Sequence, residues 1–214
     1  MAADIFVYLD TVQFSKNGLQ NRNQVKTGSL ACWLTVPVKQ KLGQTIRETE
    51  IADARATRKH WKTLQANYSH SQGWERWEGE LAALLESEPT SLSDLAIAST
   101  EWLLSKLNID TQRIRASTLH ETKGHASELV ASICQQLKAT TYLTGSGALE
   151  YLNLKDFRSI DCEVQVQQWQ PLIYEQQQMK SGFLPNLSTL DLILNVPDEA
   201  AELIQASGSW KLLE

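Results

Sequence analysis

Residues 5–28 read IFVYLDTVQFSKNGLQNRNQVKTG, a short apolar run followed by a long polar segment. The run Ile5–Leu9 consists of β-branched, aromatic and apolar residues, which predicts a strand buried on both faces. A second strand is predicted at Trp33–Val38. The intervening residues 9–28 are predicted to form a loop. Long loops in compact domains are often functional, but a solvated surface loop is the competing interpretation.

The polar segment carries three cations among many amides: Lys16, Arg22 and Lys26. Arginine offers a planar fork of donors and lysine a point charge, and both suit a carboxylate or a phosphate. The segment is therefore a candidate site for a small anionic ligand, located at the carboxyl end of the first strand.

The chain continues with a third predicted strand and a block of helices. Ile46–Ile51 alternates apolar and polar residues, as a strand with one wet face does. Apolar spacing then predicts helices throughout residues 55–107, the first of them capped by Asp53. Beyond residue 107, predicted strands alternate with helices, which is typical of parallel sheets. The predicted fold class is α/β, a mostly parallel sheet with helices on both faces. We expect a single domain over residues 1–214, with a helical insertion at 55–107.

Composition narrows the function classes. The 214 residues are 42% hydrophobic and 21% charged, which favours a folded protein. The net charge of −5 argues against nucleic acid as a partner. No apolar run approaches the ~20 residues of a membrane span, and no signal peptide is recognised. Three scattered cysteines favour a reducing cytosol, and no residue spacing predicts a metal site or identifies a cofactor.

Other candidate residues have two interpretations each. Gly145-Ser146-Gly147 follows a predicted strand, so it is either a tight turn or a cradle for an anion. His60 is either a helix-surface residue or a general base. Ser188 and Asp191 have the spacing of a capping box, which is the structural alternative to a ligand-binding helix start.

Four motifs, taken in order, resemble the WbqC-like family. They are YLDTVQFSKNGLQNRNQVKTG…WLTVPV, RKHWKTLQANY, TYLTGSGALEYL and FLPNLSTLDLILN, and they span about residues 4–197. Such proteins are often associated with bacterial O-antigen and surface-polysaccharide biosynthesis. The resemblance implies a cytoplasmic transferase that moves an amino-acid or acyl group to a nucleotide-linked amino sugar. The alternative is a non-catalytic ligand-binding member of the family.

The resemblance also implies one site shared by the matching polar positions. His60 and Asp10 are the catalytic candidates. The substrate-binding candidates are Gln13, Lys16, Arg22, Asn23, Lys26, Tyr68, Gly145, Gly147, Tyr151, Asn186, Ser188 and Asp191. Family members usually begin with a strand and an HQPxYxPxxGYF segment, which this chain starts beyond. The layout of that segment is reminiscent of nucleotidyltransferase-like (HUP) folds. Without it a sheet edge is expected to be uncovered, and a homodimer contact could cover it.

Overall fold

The chain folds into two compact units. The computed structural model describes residues 1–120, 122–177 and 182–214. The first unit comprises Met1–Leu9, Thr111–Gln170 and Ile204–Glu214, and the second comprises Asp10–Asp110 and Pro171–Leu203. Each unit draws on separate stretches of the chain. The single domain over residues 1–214 stays a prediction.

The first unit contains two small sheets. Its strands are β1 (Ile5–Tyr8), β4 (Gln112–Arg115), β5 (Thr141–Thr144), β6 (Glu163–Trp169) and β7 (Gly208–Leu212). Strand β1 pairs with β4 in parallel, β5 pairs with β6 in parallel, and β7 pairs with β6 antiparallel. Alternate residues of β6 enter the core, where Val164 and Val166 are buried. The strand therefore has one buried and one more exposed face.

Two helices cover one face of β6. They are α4 (Ser127–Gln136) and α5 (Leu154–Arg158). Val130 of α4 and Phe157 of α5 pack with Val164 in one apolar cluster, and the ring of Tyr142 stacks on Phe157 with 5.2 Å between centroids. This cluster is the core of the first unit.

The second unit contains an antiparallel hairpin, β2 (Arg22–Thr27) and β3 (Leu30–Thr35), joined by Gly28-Ser29. Gly28 has φ 62°, a left-handed conformation that glycine adopts without steric cost. A two-residue turn with glycine first suits the right-handed twist of a hairpin. The turn therefore fixes the register, which places Arg22 opposite Thr35 and Lys26 opposite Ala31.

The second unit also contains helices. Their bounds are α1 Arg55–Tyr68, α2 Trp74–Leu85, α3 Leu92–Lys106, α6 Thr189–Asn195 and α7 Ala200–Ala206, the last of which ends in the first unit. The rings of Trp61 on α1 and Trp74 on α2 stack with centroids 5.2 Å apart. Helix α3 begins at Ser91, whose hydroxyl accepts from the backbone of Asp94. Along the described ranges, every helix falls short of the length and hydrophobicity that crossing a bilayer requires.

The α/β class is confirmed, with corrections to several elements. The strands form three small sheets among the described residues, with two parallel and two antiparallel pairings, instead of one large sheet. Strand β1 is only half-buried, because Phe6 is 46% exposed. Residues 46–51 form turns and isolated bridges, so the third predicted strand is wrong. The helices over residues 55–106 confirm the predicted helical segment.

The predicted loop over residues 9–28 is wrong in its second half. Arg22, Asn23 and Lys26 lie on strand β2, where the backbone of β3 pairs with them. The polar composition of β2 concealed the strand, since charged and amide residues are depleted in strands. These three side chains therefore project from a paired strand and not from a loop.

Candidate functional site

A pocket of about 260 Å³ opens beside the start of the hairpin, in the second unit. The residues that line it are Phe14, Lys16, Asn17, Asn21, Arg22, Thr35, Pro37, Val38 and Gln40. Two of them, Phe14 and Val38, pack against the buried apolar cluster of Val36, Ile51 and Leu92. One wall is thereby anchored in the core. We call this cavity the anion pocket, for the charges described next.

The charge of the anion pocket is positive. Lys16 and Arg22 contribute cations, and no aspartate or glutamate is among the lining residues. None of the ion pairs formed by the described residues includes Lys16 or Arg22. Two cations with no carboxylate among the lining residues favour an anionic ligand.

The guanidinium of Arg22 stacks on an aromatic ring, and one of its N–H donors has no hydrogen-bond partner among the described residues. Its Cζ lies 4.2 Å from the ring centroid of Trp33, within range of a cation–π contact. Its Nη2 donates to the backbone carbonyl of Asn17, a residue with φ 64°. Its Nε is shielded from solvent and has no partner among the described residues. An unused donor of this kind costs about 1–3 kcal/mol until an acceptor reaches it.

Asn21 shapes the neighbouring wall. Its side-chain Nδ2 donates to the carbonyl of Val36 at 2.8 Å, and its own carbonyl accepts from the Val36 amide at 2.8 Å. Its Oδ1 is buried without a partner among the described residues. The pocket therefore contains one unused donor and one unused acceptor on consecutive residues, Asn21 and Arg22.

His60 lies behind the pocket and not on its lining. The residue is buried on the face of α1 that also carries Thr57, Leu64 and Tyr68. Its Nε2 lies 3.1 Å from the carbonyl oxygen of Thr35. Since a carbonyl only accepts, Nε2 carries the proton in this contact. Burial lowers the pKa of His60 below the usual value, although the hydrogen bond to Thr35 opposes that shift. The helix-surface interpretation of His60 is wrong.

Asp191 organises a separate, fully buried network in the same unit. Its side chain is 0% exposed and accepts from the hydroxyl of Tyr68 at 2.5 Å and from that of Tyr174 at 2.6 Å. Burial, followed by the neighbouring Asp191 carboxylate, raises the pKa of both tyrosines above the usual range. Both hydroxyls therefore remain protonated donors at neutral pH.

Lys26 joins this network from the hairpin. Its backbone N–H donates to the hydroxyl of Tyr68 at 2.8 Å. Its side chain is 1% exposed and donates from Nζ to the carbonyl of Gly182 at 2.6 Å and to Oε1 of Gln176 at 3.4 Å. Gln176 in turn donates to Asp191 at 3.2 Å. The ammonium group of Lys26 therefore makes its hydrogen bonds inside the second unit and is not exposed to a ligand on the hairpin surface.

Several predicted residues occupy other places in the second unit. Asp10 is buried, and its backbone carbonyl accepts from Arg47. Gln13 is exposed, and its backbone forms an isolated antiparallel β-bridge with Thr45. The exposed Asn23 accepts through Oδ1 from the next backbone amide, and Asn186 is exposed with φ 59°.

Ser188 caps α6, but the predicted capping box is incomplete. Its hydroxyl accepts from the amide of Leu190 at 3.3 Å, and its own N–H donates to the carbonyl of Gln24 at 2.8 Å. The carboxylate of Asp191 is taken by Tyr68 and Tyr174 instead of returning to the Ser188 backbone.

Gly145, Gly147 and Tyr151 belong to the first unit. Both glycines are exposed, and a Cβ atom at either would meet nothing within 4 Å. Neither has a positive φ, so the tight-turn interpretation, which needs glycine for its backbone angles, is not supported. Tyr151 is 50% exposed.

Among the predicted residues, the anion pocket brings together Lys16 and Arg22, and the buried network brings together Lys26, Tyr68 and Asp191. Sequence reasoning missed Trp33, which stacks on Arg22, and the pair Tyr174 and Gln176. The Gly28-Ser29 turn was the signal that could have revealed the hairpin, and with it the neighbouring Arg22 and Trp33.

Comparison with known proteins gives the family. The sequence profile of the WbqC-like protein family matches residues 1–203. The chain belongs to the WbqC-like family. This match confirms the resemblance inferred from the four motifs.

A curated relative of this WbqC-like chain is Uncharacterized protein Rv1507c of Mycobacterium tuberculosis (strain ATCC 25618 / H37Rv). The two are 33% identical over 205 residues, which cover 94% of this chain and 88% of the relative. No solved structure matches the chain. Family membership is accordingly the functional information that the comparisons supply.

Proposed function

We propose that this WbqC-like protein is a transferase that holds a small anionic substrate in the anion pocket. The reaction class is transfer of an amino-acid or acyl group to a nucleotide-linked amino sugar used in surface-polysaccharide biosynthesis. The anionic group in the pocket is then a phosphate of the nucleotide or the carboxylate of the amino acid. The cytoplasm is the proposed location, since nucleotide-activated sugars are the proposed substrates.

One observation carries this proposal, the unneutralised charge of Arg22 and Lys16 in a pocket without carboxylates. The stacking on Trp33 and the hydrogen bond to Asn17 orient the guanidinium before any ligand arrives. Preorganised donors bind more tightly because less side-chain entropy is lost on binding. The pocket volume of about 260 Å³ is at the small end of ligand sites, which suits one anionic group with its neighbouring atoms.

A second candidate function is non-catalytic binding of the same ligand class. The observation in its favour is that neither His60 nor Asp10 is among the residues that line the pocket. His60 is committed to Thr35 through Nε2, and Asp10 is buried. In this alternative the protein sequesters or delivers the anionic metabolite without changing it.

Binding is tested by isothermal titration calorimetry with inorganic phosphate, glycine and UDP-glucosamine. Arg22→Gln and Lys16→Gln remove one charge each from the pocket, and we expect each to weaken binding by about tenfold or more. Lys62→Gln is the matched control, since Lys62 is exposed on α1 and does not line the pocket. The proposal is contradicted if the wild type binds none of the three probes. It is also contradicted if the wild type and the three variants bind a probe with equal affinity.

A product assay separates the two candidates. UDP-glucosamine is incubated with the protein and either acetyl-coenzyme A or glycine with ATP, and mass spectrometry looks for the amide-linked product. Product that forms with the wild type and is reduced in Arg22→Gln supports the transferase. Binding of UDP-glucosamine without product from either donor supports the non-catalytic function.

A further inference from the structure

The buried face of α1 holds the hairpin at two points, one at each end of β2. His60 reaches the carbonyl of Thr35, the residue paired with Arg22. Tyr68 accepts from the backbone N–H of Lys26. Two side chains of one helix face therefore contact two positions of one strand pair.

The spacing of these two contacts matches on both elements. His60 and Tyr68 are eight residues apart on α1, a distance of about 12 Å at 1.5 Å per residue. Arg22 and Lys26 are four residues apart on β2, about 13 Å at roughly 3.3 Å per residue. Because the two distances agree, both hydrogen bonds form in one register of helix against hairpin. A slip of the hairpin by one residue would break both.

The two contacts between α1 and the hairpin, which we call the two ends of the docking, lie beside different features of the second unit. At the far end, Tyr68 is part of the buried network around Asp191 and serves the core. At the near end, Thr35 lines the anion pocket, and its strand neighbour Val36 exchanges two hydrogen bonds with Asn21. His60 thus contacts the strand segment that faces both Asn21 and Arg22.

We propose that His60 is a positioning residue of the anion pocket, which acts through the Thr35 carbonyl to place Arg22 and Asn21 for the ligand. This role rests on the proposed function, since it concerns the same pocket. The histidine touches no ligand in this arrangement. Its contribution is to keep Arg22 and Asn21 in the wall of the pocket.

Two amide substitutions test the role. In glutamine the side-chain nitrogen is three bonds from Cβ, as Nε2 is in histidine, whereas in asparagine it is two bonds from Cβ, as Nδ1 is. His60→Gln therefore keeps a donor in reach of the Thr35 carbonyl, and His60→Asn does not. Titration with inorganic phosphate, followed by NMR, should give a dissociation constant about tenfold higher for His60→Asn and within about threefold of wild type for His60→Gln.

Equal affinity of His60→Asn and wild type overturns the proposal, and so does an equal loss in both variants. Rescue by glutamine distinguishes positioning from general support of the core, because both substitutions replace a buried ring by a smaller amide. If the wild type binds no phosphate, the proposed function fails for this ligand, and the positioning role is then judged without any ligand.

The ligand-free measurement is amide hydrogen exchange at the two ends of the docking. His60→Asn should speed exchange of the Val36 amide, which donates to Asn21, by about tenfold relative to wild type. The Lys26 amide, which donates to Tyr68, should be unchanged and serves as the internal control. Unchanged exchange at Val36, or equal acceleration at Val36 and Lys26, overturns the positioning role.

Discussion

Tyr68 satisfies two buried groups with one hydroxyl, and it lies 123 residues from its partner Asp191 in the chain. The oxygen accepts from the Lys26 amide while its proton goes to the carboxylate. Without the hydroxyl, the buried Lys26 N–H loses its acceptor and the buried Asp191 carboxylate loses a donor. Each such loss typically destabilises the folded state by about 1–3 kcal/mol.

We therefore expect Tyr68→Phe to lower the free energy of unfolding by at least about 1–3 kcal/mol. Urea unfolding of the variant and the wild type measures the difference. Tyr151→Phe is the matched control, because Tyr151 is 50% exposed and its substitution should change stability by less than about 0.5 kcal/mol. Equal midpoints for Tyr68→Phe and wild type would mean that the buried network contributes nothing.

The tyrosines also give the protein a defined response to alkaline pH. Burial raises the pKa of Tyr68, Tyr174 and Tyr142 in the folded state, while the unfolded value is about 10. The stability that these groups contribute is complete below about pH 10. It is lost as the pH rises towards their folded-state pKa, because the unfolded chain releases its protons first.

Spectrophotometric titration of phenolate absorbance tests this response. Of the five tyrosines, we expect at least the three whose pKa is raised, Tyr68, Tyr142 and Tyr174, to remain protonated near pH 10 and to ionise together with alkaline unfolding. Tyr68→Phe should remove one tyrosine from the late class. Ionisation of all five near pH 10 in the still-folded protein would refute the burial of these hydroxyls.

The start of α3 offers a test at the scale of an element. The hydroxyl of Ser91 accepts from the Asp94 amide at 3.2 Å and caps the helix. Two residues later, the hydroxyl of Ser93 is buried without a partner among the described residues. The same substitution at the two serines should thus have opposite consequences.

We expect Ser91→Ala to destabilise the protein by about 1 kcal/mol, the usual contribution of an N-cap. Ser93→Ala should be neutral or stabilising, since it removes a buried polar group whose hydrogen bond is not made. Thermal unfolding of both variants supplies the comparison. A larger loss for Ser93→Ala than for Ser91→Ala would contradict the assignment of the cap.

The sequence identified elements that carry local signals and missed those that depend on distant partners. Helices α1 to α3 follow from apolar spacing within the chain. Strand β2 is polar, and its pairing with β3 was recognisable only from the turn at Gly28. His60 lies at helical spacing from Leu64 and Tyr68, so periodicity within α1 is consistent with its burial, but its contact with Thr35 of the hairpin depends on a partner outside the helix.

The candidate site shows the same division at the scale of the whole molecule. Local charge was enough to single out Lys16 and Arg22, because cations near a strand end are visible in the sequence. Asp191 has two interpretations in the sequence, a capping box with Ser188 and a ligand-binding residue, and neither points to Tyr68 and Tyr174, because these contacts are distant in the chain. Trp33, which is 41% exposed and stacks on Arg22, carries no local signal of that contact in the sequence.

The pairing of β7 within the first unit allows a prediction about truncation of the chain at its carboxyl end. Strand β7 completes the sheet of the first unit by pairing with β6, and Leu213 beyond it packs on the core cluster of that unit. Removing residues 207–214 should therefore speed amide hydrogen exchange in β5 and β6, because the backbone of β6 becomes an open edge. Removing only Glu214 is the control. Unchanged exchange in β6 after the longer truncation would contradict the role of β7.

The central claim, that Arg22 and Lys16 form an anion site, is tested most directly at the guanidinium itself. The Nε–H resonance of Arg22 is followed by NMR while inorganic phosphate is added to the wild type and to Lys16→Gln. An anion bound beside the guanidinium changes the surroundings of its Nε–H, so we expect a saturable shift of this resonance in the wild type. The dissociation constant should be about tenfold higher in Lys16→Gln. An Arg22 resonance that does not move, or that gives the same dissociation constant in both proteins, would contradict the anion site.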